Sequence, residues 1–554
     1  MSDQAAAGWD SSRSAAGDRN PWLVAVVVSI ATFMVVLDTA IANVSLRYIA
    51  GSLAASVDES TWVVTTYLIA NAVVLPASGW LSNVIGRKRF YMLCVALFTI
   101  SSLLCGLASS LSALIFFRIL QGLGGGGMPT SEQAILADTF PPQKRGQAFA
   151  LYGVAVIVAP TVGPTIGGWI TDNFSWHWIF FINVPIGLVS LALVHWLVDE
   201  PETLERERHE RLARGLKVDW VGFVLIAITL GSLEVVLDRG QIEDWFKSNT
   251  IITFTALAAA SFLLFLPWEI NHEEPIVELR LLFRRQFGMA FLVMLMVGAI
   301  LFGSNQIMPQ LLQTSFPYTA MLSGLAMMPG GLAMLVVMPI AGQVTGHFQP
   351  KYLMTLGLIG IALSMSYSTT LTPDASFDYF AWIRIYQTVG LPFLFIPINT
   401  VAYDGLPPEK TNQASALMNV ARNLGGSIGI SLANVALVQR EQFHQSRLVE
   451  NTTPSSPIFH STLAQMTHYF TAHGSSAADA AGQAMALIGQ IIRTQATILA
   501  YIDVFHLCAI AAALMIPLVL VLVRRVNIGA SSPAIGPCKD DPEKWTPVFG
   551  KDHA

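Results

Sequence analysis

The chain contains fourteen apolar runs of about twenty residues, and this repetition constrains the fold more than any other feature. About twenty apolar residues are needed for a helix to cross a bilayer, whereas a barrel strand needs half as many and alternates apolar with polar side chains. Hydrophobic residues make up 53% of the chain and charged residues only 12%. We therefore predict an all-α integral membrane protein. The runs begin near Trp22, Thr61, Phe90, Leu111, Gln147, Trp176, Trp220, Thr250, Phe287, Tyr318, Tyr352, Phe380, Gln413 and Asp503.

Positively charged residues are distributed unevenly between the two sides of the predicted spans. If both termini lie on the inner side, the short outer loops hold only Arg47, Arg239 and Lys247. Because Lys and Arg accumulate in inner loops, this asymmetry predicts an even number of spans with both termini in the cytoplasm. The inner segments hold Arg87, Lys88, Arg89, Lys144, Arg145, Arg280, Arg284, Arg285, Lys351, Lys410, Arg524, Arg525 and a cluster at 206–217.

The order of spans and polar segments predicts two six-helix bundles with two helices inserted between them. A mixed-charge linker follows the first six spans; it is typical of a solvated helix with i,i+4 ion pairs, and a binding site is the alternative. Both polar tails are predicted to be disordered and cytoplasmic. The predicted units are a tail at 1–20, the first bundle at 21–198, the linker at 199–218, the inserted pair at 219–270, the second bundle at 271–526 and a tail at 527–554.

A long polar segment at 439–502 interrupts the second bundle on its outer side. A structureless loop of this length is uncommon, and apolar residues recur at helical spacing in its second half. We therefore predict amphipathic helices, the last of which continues into the fourteenth span. Two interpretations stay open: a lid packed over its own bundle, or a docking surface for a periplasmic partner.

Two opposite charges lie deep inside predicted spans. At about 1.5 Å per residue, Asp38 is about 24 Å from the inner end of its span and Arg118 about 10 Å from the outer end of another, so the two could meet. An intramembrane carboxylate is costly and marks a functional site by default. One interpretation is a static ion pair that holds two helices together. The other is a proton-responsive pair, because burial favours the neutral acid while a nearby Arg favours the ionised form.

Four further charged residues fall within predicted spans. Glu132 lies towards the inner end and is the second candidate carboxylate, with snorkelling or helix capping as the alternative. Glu234 and Arg384 lie close to the outer face, where we expect both side chains to snorkel to the interface. Arg422 lies near mid-depth, either as a clamp on backbone carbonyls or as an anchor for an acidic group of a substrate or of the protein.

Methionine, aromatic and polar side chains on spans that reach the midplane are candidate walls of a central apolar cavity. Met and aromatic side chains adapt to varied ligands, although such residues more often belong to a core. The sequence contains no catalytic or metal-ligand motif, and glycines 124–127 lack the strand and the Lys-Ser/Thr pair of a nucleotide-binding loop. The candidate wall residues are Phe302, Met327, Met328, Met334, Phe395, Asn399 and Arg422.

Several motifs, in the correct order over about residues 22–526, resemble those of the major facilitator superfamily. They are the loop Gly79–Arg89, Arg118 with Gln121 and Gly122, and the stretch Gly153–Gly168. Within the superfamily, the sequence resembles the fourteen-span drug:proton antiporters of the EmrB/QacA type. The resemblance is strongest to the EmrB branch of that group. This narrowing rests on Leu37–Val44, Trp176–Gly187, Asp219–Phe223 and Arg422–Gly429. The resemblance implies the major facilitator fold, with two inserted helices and a total of fourteen.

The resemblance also implies gating roles for two motifs. In the inner loop, Asn83 stands where the family usually has an acid, so we expect a weaker charge relay, with Asp138 as a partner for the cations. In the fifth span, glycines allow close helix approach and prolines bend the helix, and ordinary packing is the alternative. The residues are Gly79, Asn83, Gly86, Arg87 and Lys88 in the loop, and Gly153, Pro160, Gly163, Pro164, Gly167 and Gly168 in the span.

The resemblance, together with the intramembrane charges, implies a proton-driven exporter of amphipathic, drug-like molecules in a bacterial inner membrane. Asp38, Arg118 and Glu132 would couple transport to the proton gradient, and no cofactor is expected. The resemblance implies a periplasmic adaptor and a TolC-like outer-membrane channel as partners, docked through 439–502, and no nucleic acid. An exporter of one specific metabolite or siderophore, an anionic one included, is the alternative, with Arg422 as its anchor. A membrane enzyme or sensor is disfavoured, because no catalytic constellation is present.

Overall fold

The computed structural model describes residues 20–199, 205, 208, 219–272, 275–406, 410–450, 452–453 and 456–523. The predicted terminal tails and nearly all of the predicted charged linker lie outside these residues. Within the described part of the chain, every regular element is a helix. The α-helices are α1 Pro21–Ser52, α2 Val57–Ser60, α3 Trp62–Ile85, α4 Arg87–Gly106, α5 Leu111–Thr139, α6 Pro142–Asn173, α7 Trp178–Phe181, α8 Asn183–Leu197, α9 Trp220–Arg239, α10 Asn249–Asn271, α11 Arg285–Thr314, α12 Ala320–Thr345, α13 Pro350–Ser368, α14 Phe377–Val389, α15 Pro392–Ala402, α16 Thr411–Val449, α17 Pro457–Ala472 and α18 Ala477–Leu522.

Local sequence sets several helix boundaries. The Asn20 side chain caps α1 by accepting the backbone N–H of Trp22 at 3.0 Å, and Pro21 occupies the first helical position. Gly86, with φ of 99°, separates α3 from α4 in a backbone conformation that residues with a Cβ rarely adopt. This single-residue break lets α4 turn back and pack along α5.

Among the described residues, eleven helical segments are long and apolar enough to cross a membrane, and α6 makes twelve if its two bent halves form one span. α13 and α16 do not meet this condition. In α16 the reason is a polar face, because Asn412, Asn419 and Arg422 are buried against other helices. The chain is a multi-pass membrane protein, and the predicted all-α class is confirmed. A total of fourteen spans is consistent with these helices.

The helices form two bundles, α1–α8 and α11–α18. In the first bundle α1 packs along α6, and α5 packs against both α3 and α4. In the second bundle α11 packs along α16, and α12 packs against α14. The bundles meet where α3 contacts α16 and where α6 contacts α12. The inserted helices α9 and α10 pack on each other, and α9 contacts both α3 and α16, so the inserted pair touches both bundles.

We call the face at which α1 begins and α18 ends the terminal face, and the opposite face the distal face. α18 has 46 residues and is therefore about 69 Å long, more than twice the thickness of the hydrocarbon core. Its first half consequently projects beyond the membrane at the distal face. There it is tied to the end of α16, because Arg440 Nε and His444 Nε2 lie 2.5 and 2.7 Å from the Asp503 carboxylate.

Glycines set the close contact between α11 and α16. A Cβ at Gly425 would lie less than 3.0 Å from the backbone carbonyl oxygen of Leu295, and one at Gly429 less than 3.0 Å from that of Ala299. Because the contacted atoms are backbone, the helices would have to separate to admit even a methyl group.

We expect Gly425→Ala to lower the free energy of unfolding by about 1–3 kcal/mol, the usual cost of overpacking. Thermal unfolding of the detergent-purified protein would report this as a lower Tm. Gly489→Ala is the matched control, because nothing lies within 4 Å of a Cβ at Gly489. Ala is favoured over Gly inside a helix by about 1 kcal/mol, so the control should keep or raise the Tm. An unchanged Tm in Gly425→Ala would contradict the close packing.

Candidate functional site

Asp38, in the middle of α1, is the centre of a buried polar cluster. Arg118 of α5 binds one carboxylate oxygen, with 2.6 Å between Nη1 and Oδ2. The other oxygen accepts hydrogen bonds from the side-chain amides of Gln121 at 3.0 Å and Asn183 at 2.6 Å. Asp38 is 2% exposed, and Arg118 is fully buried. One carboxylate therefore joins α1, α5 and the start of α8.

Arg118 is held by more than its ion pair. Its Nε donates to the backbone carbonyl of Val63 at 3.0 Å, and Nη1 also donates to the Gln121 side chain at 2.7 Å. The guanidinium carbon lies 4.3 Å from the centroid of the Tyr67 ring, which adds a cation–π contact. Arg118, Gln121 and Asn183 all donate to Asp38, so both oxygens of this carboxyl group are occupied by donors from the protein.

Glu132 lies on the same helix as Arg118, about four turns closer to the terminal face. Ser29 of α1 donates to its Oε1 at 2.7 Å, and Thr32 donates to its Oε2. Glu132 is fully buried and α5 continues to Thr139, so the alternative of snorkelling or capping is wrong. Among the described contacts, the only side chains that form hydrogen bonds with Glu132 are these two hydroxyls. A hydroxyl donates to a carboxylate and accepts from a carboxylic acid, so both protonation states can be satisfied here.

Gln133, the next residue, faces the second bundle. Its side-chain oxygen accepts hydrogen bonds from Asn419 at 2.9 Å and from the hydroxyls of Ser415 and Tyr403 at 3.2 Å each. All four residues are buried. This polar layer closes the interface between the bundles on the terminal side of Arg118. The sequence analysis did not identify it, because isolated neutral polar residues in an apolar run carry no distinctive signal.

Arg422 of α16 reaches into the first bundle. Its Nη1 donates to the phenol oxygen of Tyr152 in α6 at 2.7 Å. The Tyr152 ring stacks on Phe395 with centroids 5.9 Å apart, and Arg422 lies within electrostatic range of Glu132. The described contacts of Arg422 include no backbone carbonyl, so the predicted clamp is not found. A role as an anchor for an acidic group stays a prediction.

The inner-loop motif lies at the end of α3 near the terminal face. A Cβ at Gly79 would lie 2.9 Å from the carbonyl oxygen of Asn412, so α3 packs directly on the backbone of α16. The Asn412 side chain donates to the side-chain oxygen of Asn83. At the position where the family usually has an acid, an uncharged amide pair thus links the two bundles.

The cations of the same motif act within the first bundle. Arg87 forms an ion pair with Asp138 at the end of α5. Lys88 donates instead to the backbone carbonyl of His195 at the end of α8, at 2.8 Å. Asp138 therefore partners one of the two cations proposed for it.

The glycines of α6 contact α1. A Cβ at Gly163 would lie 2.5 Å from the Cβ of Ala40, and one at Gly167 would lie 2.9 Å from Ile41 Cγ2. Gly168 has open space beside it, with nothing within 4 Å. Close packing against α1 therefore explains why glycine occupies two of these three positions.

The same helix is bent and also contacts the second bundle. Its halves Lys144–Pro160 and Val162–Asn173 meet at 43°, as expected of a helix with Pro160 and Pro164 in its interior. A Cβ at Gly153 would lie less than 3.0 Å from the end of the Met338 side chain. The gating role of this helix stays a prediction.

The candidate wall residues of the central cavity differ in how deeply their side chains are buried. Phe302 is half-buried against Gly426, and Met328 is 36% exposed. Their role in binding a substrate stays a prediction. The buried members of the set are Met327, Met334, Phe395, Asn399 and Arg422.

Two side chains that we expected to snorkel are buried instead. Glu234 of α9 is 7% exposed and accepts a hydrogen bond from the Ser427 hydroxyl of α16 at 2.9 Å. Arg384 of α14 is 1% exposed and donates to Asn305 of α11. Both predictions were wrong, because position along a helix gives depth but not the face, and both residues face neighbouring helices.

The sequence matches the family described as the Major Facilitator Superfamily over residues 28–430. The chain belongs to the major facilitator superfamily. This match and the two-bundle fold confirm the resemblance predicted from the motifs.

Solved major facilitator structures agree in fold. The proton:xylose symporter XylE has a TM-score of 0.57 and 15% identity, covering 91% of this chain and 96% of its own. The human organic anion transporter MFSD10 has a TM-score of 0.55 and 13% identity, covering 89% and 99%.

Curated relatives within the superfamily are more similar in sequence. Multidrug export protein EmrB of Haemophilus influenzae is 37% identical over 491 residues, 88% of this chain and 92% of the relative. Multidrug export protein EmrB of Escherichia coli K12 is 38% identical over 436 residues, 78% and 84% of the two chains. Fatty acid resistance protein FarB of Neisseria gonorrhoeae is 34% identical over 497 residues, 90% and 95%.

Proposed function

We propose that this chain is a proton-coupled exporter of amphipathic, drug-like molecules. The observation that carries the proposal is its identity of 37% over 88% of the chain to a protein named Multidrug export protein EmrB. The bacterial source of the EmrB relatives favours a bacterial inner membrane. The distribution of Lys and Arg favours an orientation with the terminal face in the cytoplasm. Substrate would then leave at the distal face.

The two buried carboxylates of the first bundle support different roles. Asp38 contacts a cation and two amide donors, so we assign it, with Arg118, to holding α1 and α5 together. Glu132 has hydroxyl partners and lies next to Gln133, whose hydrogen bonds close the interface between the bundles. We therefore assign the transported proton to Glu132. Binding or loss of this proton changes the charge beside the polar layer, which biases the bundles between two arrangements.

The energetics are sufficient for export. Each proton that moves inward across a potential of about 100 mV supplies about 2.3 kcal/mol, and a tenfold gradient of a neutral substrate costs about 1.4 kcal/mol. One proton per substrate molecule would therefore support a gradient of more than tenfold.

The distal extension, formed by the end of α16, by α17 and by the first half of α18, supports a second part of the proposal, a periplasmic adaptor joined to an outer-membrane channel. The extension rises beyond the membrane on the side where such an adaptor would lie. Deleting residues 457–472, which form α17, should abolish capture of the adaptor on affinity beads while leaving the protein in the membrane. Full capture by the deletion variant would contradict docking at α17.

Proton release from reconstituted vesicles tests the export proposal directly. Adding a lipophilic cation to protein in sealed vesicles should release protons, recorded with a pH-sensitive dye, and an uncoupler should abolish the signal. Failure of a panel of lipophilic cations to release protons would contradict the drug-export proposal. A response to a single anionic compound would favour the alternative exporter, for which the buried Arg422 is the proposed anchor.

A further inference from the structure

The inserted pair contains a second arrangement of carboxyl groups, away from α1 and α5. Asp219 caps α9: its Oδ1 accepts the backbone N–H of Gly222 at 2.8 Å and the indole N–H of Trp268 at 2.9 Å. Glu269 lies near the end of α10, and its Oε1 accepts the backbone N–H of Val277 at 2.5 Å. The two acids are 2% and 1% exposed. Each thus uses one oxygen to hold local structure.

The other two carboxyl oxygens lie side by side. A Cβ at Gly222 would lie less than 3.0 Å from both Asp219 Oδ2 and Glu269 Oε2, so the absent side chain leaves the space in which they approach. Both oxygens lie within 3.0 Å of that single position, so the two carboxyl groups are close neighbours. Neither oxygen has a donor among the described residues. Two ionised carboxylates offer only acceptors, so this approach is unfavourable unless a proton lies between them.

The charged groups nearby in the described part of the chain do not neutralise the pair. Arg280 donates to the backbone carbonyl of Ile270 at 3.0 Å, and Lys410 pairs with Glu278 at 3.1 Å. His272 stacks on the Trp268 ring, with centroids 5.7 Å apart. None of these three makes an ion pair with Asp219 or Glu269 among the described contacts. A metal ion is disfavoured too, because hard cations take six or more oxygens and the described residues hold no cluster of three metal-binding side chains.

We propose that Asp219 and Glu269 form a proton-binding site in which one proton is shared between Oδ2 and Oε2. The site joins the start of α9, the end of α10 and the segment that leads into α11. In that segment Ile276, Val277 and Leu281 are buried in the core. Loss of the shared proton places two negative charges in contact and weakens the hold of Glu269 on Val277. The site is independent of Glu132 and of the export proposal.

Infrared difference spectra recorded as the pH is raised test the site directly. The wild-type protein should lose the carbonyl-stretch band of a protonated carboxylic acid, and Glu269→Gln and Asp219→Asn should each lack one component of that loss. Glu278→Gln is the matched control, since this neighbouring acid pairs with Lys410 and should leave the spectrum unchanged. Spectra of Glu269→Gln and Asp219→Asn identical to the wild-type spectrum would overturn the proposal.

Thermal stability against pH gives a second readout. A proton held by the folded protein and released on unfolding makes stability fall as the pH rises. An amide in place of either acid supplies a permanent N–H donor to the remaining carboxylate, so Glu269→Gln should remove part of the fall in Tm between neutral and alkaline pH. Glu278→Gln should retain all of it. A fall of the same size in Glu269→Gln and wild type would overturn the proposal even if both proteins fold normally.

Discussion

Glu132→Gln is expected to abolish drug-driven proton release, with a loss of at least about a hundredfold, the lower end of the contribution of a side chain that transfers a proton during turnover. Gln keeps the size of the side chain and can still bond to Ser29 and Thr32, but it cannot bind or release a proton near neutral pH. The folded protein and substrate binding should therefore persist. Proton release and ligand binding, measured on the same vesicles, separate the two effects.

A matched control for this substitution is available on the distal extension. Glu441 also accepts a hydrogen bond from a threonine hydroxyl, that of Thr497 at 2.9 Å, but it lies far from the bundle interface. Glu441→Gln should release protons at the wild-type rate. If Glu132→Gln released protons as well as this control does, the assignment of the transported proton to Glu132 would be wrong.

The sequence predicted the class and the deepest charged site of this protein for physical reasons. A run of about twenty apolar residues has few alternatives to a membrane helix, so the repetition of such runs indicates the fold class. Asp38 and Arg118 are expensive in a membrane unless they find each other, and their similar depth was sufficient to suggest that they could meet. The motifs that resemble the superfamily identified the fold because several occur in the correct order.

The burial of other charged side chains and the contacts between the bundles depend on which face of a helix each residue occupies. A single sequence does not reveal that face. Glu234 and Arg384 were expected at the interface and are buried, because each faces a neighbouring helix. The bonds from Gln133 to Asn419 cross between bundles whose contacts depend on the whole topology. α16 falls short of the apolar criterion for a span for the same reason, since its polar face is covered by protein and not by lipid.

The cluster of Asp38 and Arg118 is expected to show the largest loss of stability. Removing one partner of a buried ion pair leaves an uncompensated charge, and typically lowers the free energy of unfolding by about 3–5 kcal/mol. Arg118→Gln leaves the buried Asp38 carboxylate with only amide donors, and Asp38→Asn leaves the buried guanidinium without its acid. Each single variant should have a lower Tm than the wild type and little transport.

The double variant Asp38→Asn with Arg118→Gln distinguishes structural coupling from two independent losses. It removes both charges and keeps side chains that can bond to each other and to Gln121, so its Tm should lie above that of either single variant. Transport should remain low if the ionised cluster is needed to hold α1 against α5 while the bundles move. Additive losses of Tm in the double variant would contradict direct coupling of the two charges. Wild-type transport in the double variant would instead show that the pair has no role beyond stability, because its neutral replacement would serve equally well.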